Sequence, residues 1–180
     1  MIVFNMDNLH QQLKELHQES FGWALRCCVG CQEEAEDVLQ TVYLKVLEGK
    51  AAFKGKSTFR TWLFSIIRFT AIDAMRRSKA RQKKLDLVKV EWERTTANVE
   101  QPETEVQESS ADDLATFQQI LNALPGRQRE VLQLVFYHEC TIAEAASIMG
   151  VSLGSARTHY ERAKATCRKK LTLNAIANER

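Results

Sequence analysis

Lysine and arginine side chains are concentrated in one stretch of this chain, where they could pair with phosphates. From Lys50 to Lys84 there are eleven basic residues and a single acid, Asp73. Ammonium and guanidinium groups at this density neutralise a nucleic-acid backbone and release its counterions. We favour this interpretation over a merely solvated basic face. The residues expected to contact phosphates are Arg60, Arg68, Arg76, Arg77 and Lys79.

A second basic segment, 151–173, follows a pattern typical of a helix-turn-helix. Thr141 can cap a short helix over Ile142–Met149, and Gly150 can form the turn because glycine tolerates positive φ. Ser152 can cap a longer, basic helix, whose early turns would meet base edges. The expected contacts are Ser155, Arg157, Thr158 and His159 for bases, and Arg162, Lys164, Arg168, Lys169 and Lys170 for phosphates. Taken alone, the segment fits an ordinary αα-hairpin equally well.

Few residues that could act in catalysis or bind a metal lie at a spacing suited to either role. The four histidines are scattered, at His10, His17, His138 and His159, and no glycine-rich loop could cradle a phosphate. Cys27, Cys28 and Cys31 lie close together, but nothing nearby completes a set of four ligands, so we interpret them as small core thiols. We expect no enzymatic activity, no cofactor and no metal.

The composition predicts an all-α fold with two domains. The chain of 180 residues is 44% hydrophobic and contains seven Gly and two Pro, with few alternating β-branched runs. Between residues 85 and 113 the charge reverses, with nine acids against two bases. We interpret 85–110 as a partly disordered acidic linker between a helical domain at 1–84 and a helix-turn-helix domain at 111–180.

Apolar spacing predicts the helices that position these residues. A helix is expected over about 33–47, with Leu44 among its apolar residues, and another begins after Ser57 or Thr58. In this second helix Phe59, Trp62, Leu63 and Ile66 form one apolar stripe, so we place Trp62 in the core first, with base stacking as the alternative. A separate helix is expected to carry Ile72 and Met75. Farther along the chain, "DDLATFQQILNAL", ended by Pro125, and "GRQREVLQLVFYHE" predict two more helices.

The chain is expected in the cytoplasm, without membrane insertion. Five cysteines, an odd number, do not suggest a disulfide framework. No stretch approaches the roughly 18 uninterrupted apolar residues that a membrane span requires.

Three segments, in this order, resemble the RNA polymerase sigma factors of the extracytoplasmic-function group over nearly the whole chain. "EEAEDVLQTVYLKVLE" is similar to that family's polymerase-binding helix, and "FKGKSTFRTWLFSIIRFTAIDAMRR" to its promoter-melting segment. "LPGRQREVLQL" and "TIAEAASIMGVSLGSARTHYERAKATCRKKL" are similar to its helix-turn-helix domain. The resemblance implies a protein that binds core RNA polymerase, reads the minus-thirty-five element with its second domain, and reads and opens the minus-ten element with its first.

The resemblance also implies roles for single residues. The polymerase contacts are Asp37, Gln40, Thr41 and Lys45. The minus-ten contacts are Arg60, Trp62, Arg68, Phe69, Thr70, Arg76, Arg77 and Lys79. The minus-thirty-five contacts are Ser155, Arg157, Thr158, His159, Arg162 and Lys164.

Two departures from the family pattern bear on function. Phe69 replaces the usual Asn at the loop that holds a flipped minus-ten base, and it can stack but cannot hydrogen-bond a base edge. Either the base preference differs, or Phe69 points inward and Thr70 reads the base. Thr41 replaces a usual Glu, and a phosphate there would restore negative charge. We favour simple tolerance of Thr41 over a phosphorylation switch.

Two other functional classes are alternatives to a promoter-specific sigma subunit. A stand-alone helix-turn-helix regulator would bind its operator without polymerase, but the paired basic modules favour the sigma subunit. An enzyme is not expected, as above. The expected partners are core RNA polymerase, promoter DNA, and an anti-sigma factor or regulatory kinase.

Overall fold

The computed structural model describes the backbone of residues 6–93, 119–121 and 123–178, and the side chains of 8–81, 119–121 and 123–172. All regular structure in these ranges is helical, which confirms the all-α fold class. The helices are α1 (Met6–Glu15), α2 (His17–Cys27), α3 (Gln32–Leu47), α4 (Phe59–Glu93), α5 (Gly126–Phe136), α6 (Ile142–Met149) and α7 (Leu153–Asn178). We call 6–93 the N-terminal half and 119–178 the C-terminal half.

Helix α4 corrects the prediction of two separate helices in the basic segment. It runs unbroken to Glu93 because no Gly or Pro occurs between Phe59 and Glu93. Its start was predicted correctly, since the Thr58 Oγ1 accepts a hydrogen bond from the backbone N–H of Thr61 at 3.1 Å. The helix continues past the expected domain boundary at residue 84, and the remainder of the expected linker, 94–110, lies outside the described residues.

The helix-turn-helix has the predicted local structure. Thr141 begins α6 with a reciprocal capping box, in which the Thr141 side chain accepts from the Glu144 N–H and Glu144 accepts from the Thr141 N–H. Gly150 ends the helix at φ +65°. The Ser152 Oγ then accepts from the Ser155 N–H at 3.1 Å and starts α7. Local side-chain chemistry therefore sets both ends of the turn.

One hydrophobic core is shared by the two halves. Leu63, Phe64 and Ile67 of α4 belong to the same buried cluster as Ile148 and Met149 of α6. Helix α4 packs on α2 and α3 on one side and on α6 on the other. A smaller cluster lies between α5 and α7. Its buried members are Ile120, Leu121, Leu124, Leu132, Ala163 and Cys167.

A buried tryptophan joins α2 to α4 inside this core. The Trp23 ring is 1% exposed, stacks on Phe64 with ring centroids 5.9 Å apart, and donates its Nε1–H to the Phe64 carbonyl at 3.0 Å. A buried indole N–H without a partner would be costly, so this bond fixes the register of the two helices.

The substitution Thr141→Ala should lower the free energy of unfolding by about 1 kcal/mol, because it removes the side-chain half of the capping box. Urea unfolding followed by circular dichroism measures the change. Thr141→Ser should recover most of the loss, and Ser147→Ala, an exposed change in the same helix, serves as the matched control. Equal losses for Thr141→Ala and Ser147→Ala would mean that the cap contributes nothing.

Candidate nucleic-acid interface

Helix α7 presents most of its predicted base and phosphate contacts on one exposed face. Ser155, Arg157, Thr158 and Arg162 are exposed, whereas Ala156 faces the core and is fully buried. His159 is half-buried. Lys164 is also half-buried, and its Nζ lies 5.1 Å from the centre of the Tyr160 ring. The face can thus offer guanidinium donors and hydroxyl oxygens to DNA, the Thr158 hydroxyl itself donating to the Gly154 carbonyl at 3.0 Å.

The middle of α4 forms a second exposed basic surface. Arg76, Arg77 and Lys79 are all exposed. The Arg76 Nη1 lies 3.9 Å from the Asp73 carboxylate, and the Arg77 Nε donates to the Asp73 carbonyl at 3.2 Å. Such exposed contacts are weak in water, so both guanidinium groups remain available to phosphates.

Arg68 is not on the solvated face that the sequence pattern indicated. It is 5% exposed and donates from Nε and Nη2 to the two carboxylate oxygens of Glu130 on α5, the second at 3.3 Å. The periodicity of α4 marked one buried stripe, but α6, together with Glu130 of α5, covers a further face of the helix. Glu130 was missed because nothing in its sequence neighbourhood marks it as a partner of α4.

Arg60 is likewise held by groups of the protein. Its Nε donates to the Glu19 carboxylate at 2.6 Å, and its Nη2 donates to the carbonyl of His138. Its Nη1 lies 3.9 Å from the Cys140 Sγ. The side chain is only partly exposed and bridges α2 to the loop between α5 and α6.

Phe69 and Thr70 have opposite environments. Phe69 is 50% exposed, and its ring edge lies against Gly150, where a Cβ would come within 3.3 Å of the ring. Thr70 is 5% exposed, and its Oγ1 accepts from the Lys45 Nζ at 3.3 Å. The alternative with Phe69 inward and Thr70 presented for base reading is therefore not the arrangement in this structure.

Trp62 packs in an aromatic cluster, as the apolar stripe indicated. Its ring centroid lies 5.4 Å from that of Phe53 and 5.3 Å from that of Phe59, and it is half-buried against the core. This position agrees with the structural role that was preferred for it.

Helix α3 carries an open apolar groove, and Gln40 is the predicted polymerase contact that lines it. Asp37 and Gln40 are exposed, Thr41 and Lys45 are half-buried, and Leu44 is 52% exposed. The groove has a volume of about 580 Å³ and is lined by His17, Phe21, Glu36, Leu39, Gln40, Tyr43, Leu44 and Leu47. Leu44 was expected among the core residues, but it forms part of this surface instead.

The cysteines have no metal-binding environment within the part of the chain that the structure describes. No group of three or more potential ligands occurs there. Cys28 is buried and Cys27 is half-buried, but Cys31 is exposed, so the prediction of a core thiol is wrong for Cys31. Burial raises the pKa of Cys28 to about 11, and burial likewise raises the pKa of Cys27, so neither thiol is primed as a thiolate.

His138 is a buried residue that the sequence did not single out. It is 6% exposed, its ring meets the edges of Trp23 and Phe64 at centroid distances of 5.4 and 5.1 Å, and its Nε2 has no hydrogen-bond partner among the described residues. Burial, followed by the positive charges of Arg26 and Arg60, lowers its pKa to about 4. The histidine is therefore neutral at physiological pH.

Known proteins and protein families resemble this chain over both of its halves. The family description "Sigma-70 region 2" matches residues 13–81, and "Sigma-70, region 4" matches residues 114–167. RNA polymerase sigma factor YlaC of Bacillus subtilis (strain 168) is 30% identical over 166 residues, which cover 92% of this chain and 93% of the relative. ECF RNA polymerase sigma factor SigX of the same organism is 28% identical over 171 residues, covering 93% and 86%.

Solved structures share the fold. The sigma factor RpoE in complex with the anti-sigma factor NepR from Bartonella quintana has a TM-score of 0.67 at 22% identity, covering 92% of this chain and 97% of that one. CnrH in complex with the cytosolic domain of CnrY has a TM-score of 0.60 at 20% identity, covering 94% and 91%.

A helix-turn-helix whose second helix, here α7, has a basic exposed face is typical of transcription proteins that contact DNA. Together with the matches over both halves, it identifies the chain as a member of the sigma-70 family of RNA polymerase sigma factors, in the extracytoplasmic-function group. It is an alternative sigma factor, which binds core RNA polymerase and directs promoter-specific transcription initiation. The stand-alone regulator is not favoured. No helix among the described residues is long and apolar enough to cross a membrane.

The stability of the protein should fall as pH decreases from 6.5 towards 4. Over this range His138 gains a proton in the unfolded chain but not in the folded one, so the folded state loses up to about 3 kcal/mol and then levels off. Urea unfolding at a series of pH values measures this. His138→Gln should flatten the dependence above pH 5, and the exposed His17→Gln should preserve it. An unchanged slope in His138→Gln would contradict the assignment.

Proposed function

We propose that three surfaces divide the work of this sigma factor. The groove on α3 binds core RNA polymerase, the exposed basic surface of α4 binds and helps to open the minus-ten element, and the outer face of α7 reads the minus-thirty-five element. The observation that carries this proposal is the coincidence of the two family matches, 13–81 and 114–167, with the halves that carry these surfaces. The proposal keeps the expected domains, 1–84 and 111–180, with the acidic linker 85–110 between them, although helix α4 continues to Glu93.

The proposal for α7 is supported by its order of side chains. Ser155, Arg157 and Thr158 lie in the first turns after the cap, where a recognition helix meets base edges, and all three are exposed. His159 contributes its half-buried ring, and Arg162 and Lys164 follow one turn later as phosphate contacts.

The proposal for α4 combines charge with one exposed ring. Arg76, Arg77 and Lys79 attract the phosphates of a separated strand, and the half-exposed Phe69 offers a face on which a base can stack. Because a phenyl ring has no donor or acceptor, stacking there supports opening without selecting the base. Arg60 and Arg68 join this surface only when their internal partners are released.

The α3 groove supports polymerase docking through its mixed character. Leu44 exposes an apolar side chain in the lining of the groove, while Asp37 and Gln40 lie exposed on the same helix. An apolar centre surrounded by polar groups is the usual composition of a protein interface. Thr41 and Lys45 contribute from half-buried positions.

Regulation is assigned to a protein partner. One of the similar solved structures contains a sigma factor, RpoE, in complex with the anti-sigma factor NepR. We therefore expect an anti-sigma factor for this chain, with a kinase acting at Thr41 as the second candidate. The protein acts in the cytoplasm, without catalysis of its own.

Promoter selection tests the proposal directly. The full chain is incubated with a random DNA pool, with and without core polymerase, and bound DNA is sequenced. Specific selection should require polymerase, because the DNA surfaces become usable in the holoenzyme. Leu44→Asp should reduce polymerase affinity by about tenfold or more, since it places a charge in the apolar centre of the interface.

Leu171→Asp is the matched control, because Leu171 is also an exposed leucine, at 44%, but lies on α7 away from the groove. It should bind polymerase like the unaltered chain. Equal losses of polymerase affinity in the two variants would contradict the assignment of the α3 groove to polymerase binding. Specific DNA selection without polymerase would favour a stand-alone regulator.

Thr41→Glu tests the second candidate for regulation. Thr41 is half-buried, whereas Asp37 and Gln40 are exposed, so we expect the substitution to change polymerase affinity by less than about twofold. Affinity can be measured by biolayer interferometry at several salt concentrations, with Thr41→Gln as the uncharged control. A salt-sensitive gain of about tenfold in Thr41→Glu alone would instead support a phosphorylation switch.

A further inference from the structure

The corner between α2 and α3 carries two cysteines with different surroundings. Cys28 is 3% exposed and packs in the shared hydrophobic core, whereas Cys31, the residue immediately before α3, is exposed. Only Val29 and Gly30 separate them. Packing does not explain the exposed cysteine, and neither thiol belongs to the surfaces proposed for polymerase or DNA.

The backbone of this corner brings the two cysteines together. The Cys31 N–H donates to the Cys28 carbonyl at 3.1 Å, and Val29 and Gly30 have φ values of +55° and +88°. These features define a tight four-residue turn, in which the first and last Cα atoms lie within about 7 Å of each other. A disulfide requires Cα atoms roughly 4.4–6.8 Å apart. The turn therefore places Cys28 and Cys31 within reach of a disulfide bond.

The turn is maintained in spite of an unfavourable backbone conformation. A β-branched residue rarely adopts a positive φ, and the Val29 side chain is 74% exposed, so its packing offers little compensation. Hydrogen bonds hold the turn instead, because the Gly30 N–H donates to the Leu25 carbonyl at 2.8 Å and the Cys28 N–H to the Ala24 carbonyl at 2.9 Å. Strained backbone that is held in this way clusters at functional sites.

Two other uses of these cysteines have less support. A bound metal ion would need further ligands, and no group of three or more potential ligands occurs among the described residues. A permanent disulfide is rare in the cytoplasm, the compartment proposed for this chain, where the disulfides that do form are mostly transient. Two neighbouring thiols in that compartment favour reversible oxidation.

We propose that Cys28 and Cys31 form a reversible redox pair, which a low-molecular-weight disulfide closes and a thiol reductant reopens, and that closure weakens polymerase binding. The solvent-exposed Cys31 thiolate attacks one sulfur of the small disulfide, whose S–S bond breaks and releases one thiolate. The Cys28 thiolate then attacks the Cys31 sulfur and releases the second. The two released thiolates take up the two protons that the cysteines lose, so the protein is oxidised by two electrons and the small disulfide is reduced by two.

The environment of Cys28 limits the second step. Burial, followed by the negative charges of Glu34 and Cys31, raises the pKa of Cys28 to about 11. Few Cys28 thiols are ionised at neutral pH, so this step is slow there and becomes faster as the pH rises towards that value. The pair therefore responds to sustained oxidation rather than to a brief pulse.

Closure must move part of the α2–α3 corner, because one thiol now faces the core and the other faces solvent. Cys28 packs in the same cluster as Ala35 and Val38 of α3, so bringing the sulfurs together shifts the start of α3 relative to α2. The groove is lined by residues of both helices, including Phe21 and Leu39, and changes shape with that shift. The effect on polymerase rests on the proposed function of the groove, whereas the redox pair itself does not.

The first measurement tests the pair without polymerase. The full chain is oxidised with glutathione disulfide and desalted, and its intact mass is measured. Closure should remove two hydrogen atoms, and dithiothreitol should restore them. Cys27→Ala keeps both members of the pair and should close like the unaltered chain, so it is the matched control. Cys28→Ala and the exposed Cys31→Ser should not close.

The second measurement compares polymerase binding of the oxidised and reduced forms by biolayer interferometry, after the oxidant has been removed. Oxidation should reduce the affinity of the unaltered chain and of Cys27→Ala by about fivefold, because displacing a side chain from a closely packed interior moves its neighbours. The affinity of Cys31→Ser should not respond to oxidation.

Several outcomes would overturn the proposal. Glutathione that stays on Cys31, or oxidation that yields only dimers of the chain, would make Cys31 an isolated reactive thiol. Loss of two hydrogens in Cys31→Ser would assign the bond to other cysteines, and this variant decides if Cys28→Ala does not fold. Equal polymerase affinity of the closed and open forms would contradict the effect of closure. If neither form binds polymerase, the proposed function fails instead, and the mass measurement still decides on the pair.

Discussion

A buried guanidinium must have a carboxylate facing it, and this requirement constrains how the two halves can meet around their shared hydrophobic core. Arg68 lies on the face of α4 that α5 and α6 cover, so its charge can be kept only beside Glu130. The pair ties α5 to α4 at one point, beside the more extensive packing of α4 on α6. The His138 ring then fits between Trp23 and Phe64, and Gly150 reaches the Phe69 ring.

The helix-turn-helix could be predicted residue by residue because its determinants are local. Thr141, Gly150 and Ser152 each act within a few residues of their own positions, so their roles can be recognised in the sequence. The exposure of Arg157 and Thr158 follows from the same register, since Ala156 between them faces the core. For this region, local chemistry and the final fold agree.

The environment of α4 could not be predicted in the same way. Periodicity identifies one buried stripe on a helix, but α4 packs on the N-terminal half and on α6 at once. Arg68 and Thr70 are buried by these long-range contacts, while Phe69, the more apolar residue, is left half-exposed between them. Leu44 was predicted in the core but is exposed, because an apolar residue at helical spacing can belong to an open groove as well as to a core.

The two surfaces on the N-terminal half differ in access, and this difference implies an order of events. In this structure the α3 groove is open, whereas Arg60 and Arg68 are engaged by the protein itself. On the proposed assignment, polymerase can therefore bind the groove while these two guanidinium groups are still occupied. The Lys45 Nζ of α3 also donates to the Thr70 Oγ1 beside Phe69, so the helix proposed for docking lies one hydrogen bond away from the proposed DNA surface of α4. An interface that forms first and lies in contact with the second is well placed to make promoter binding depend on polymerase.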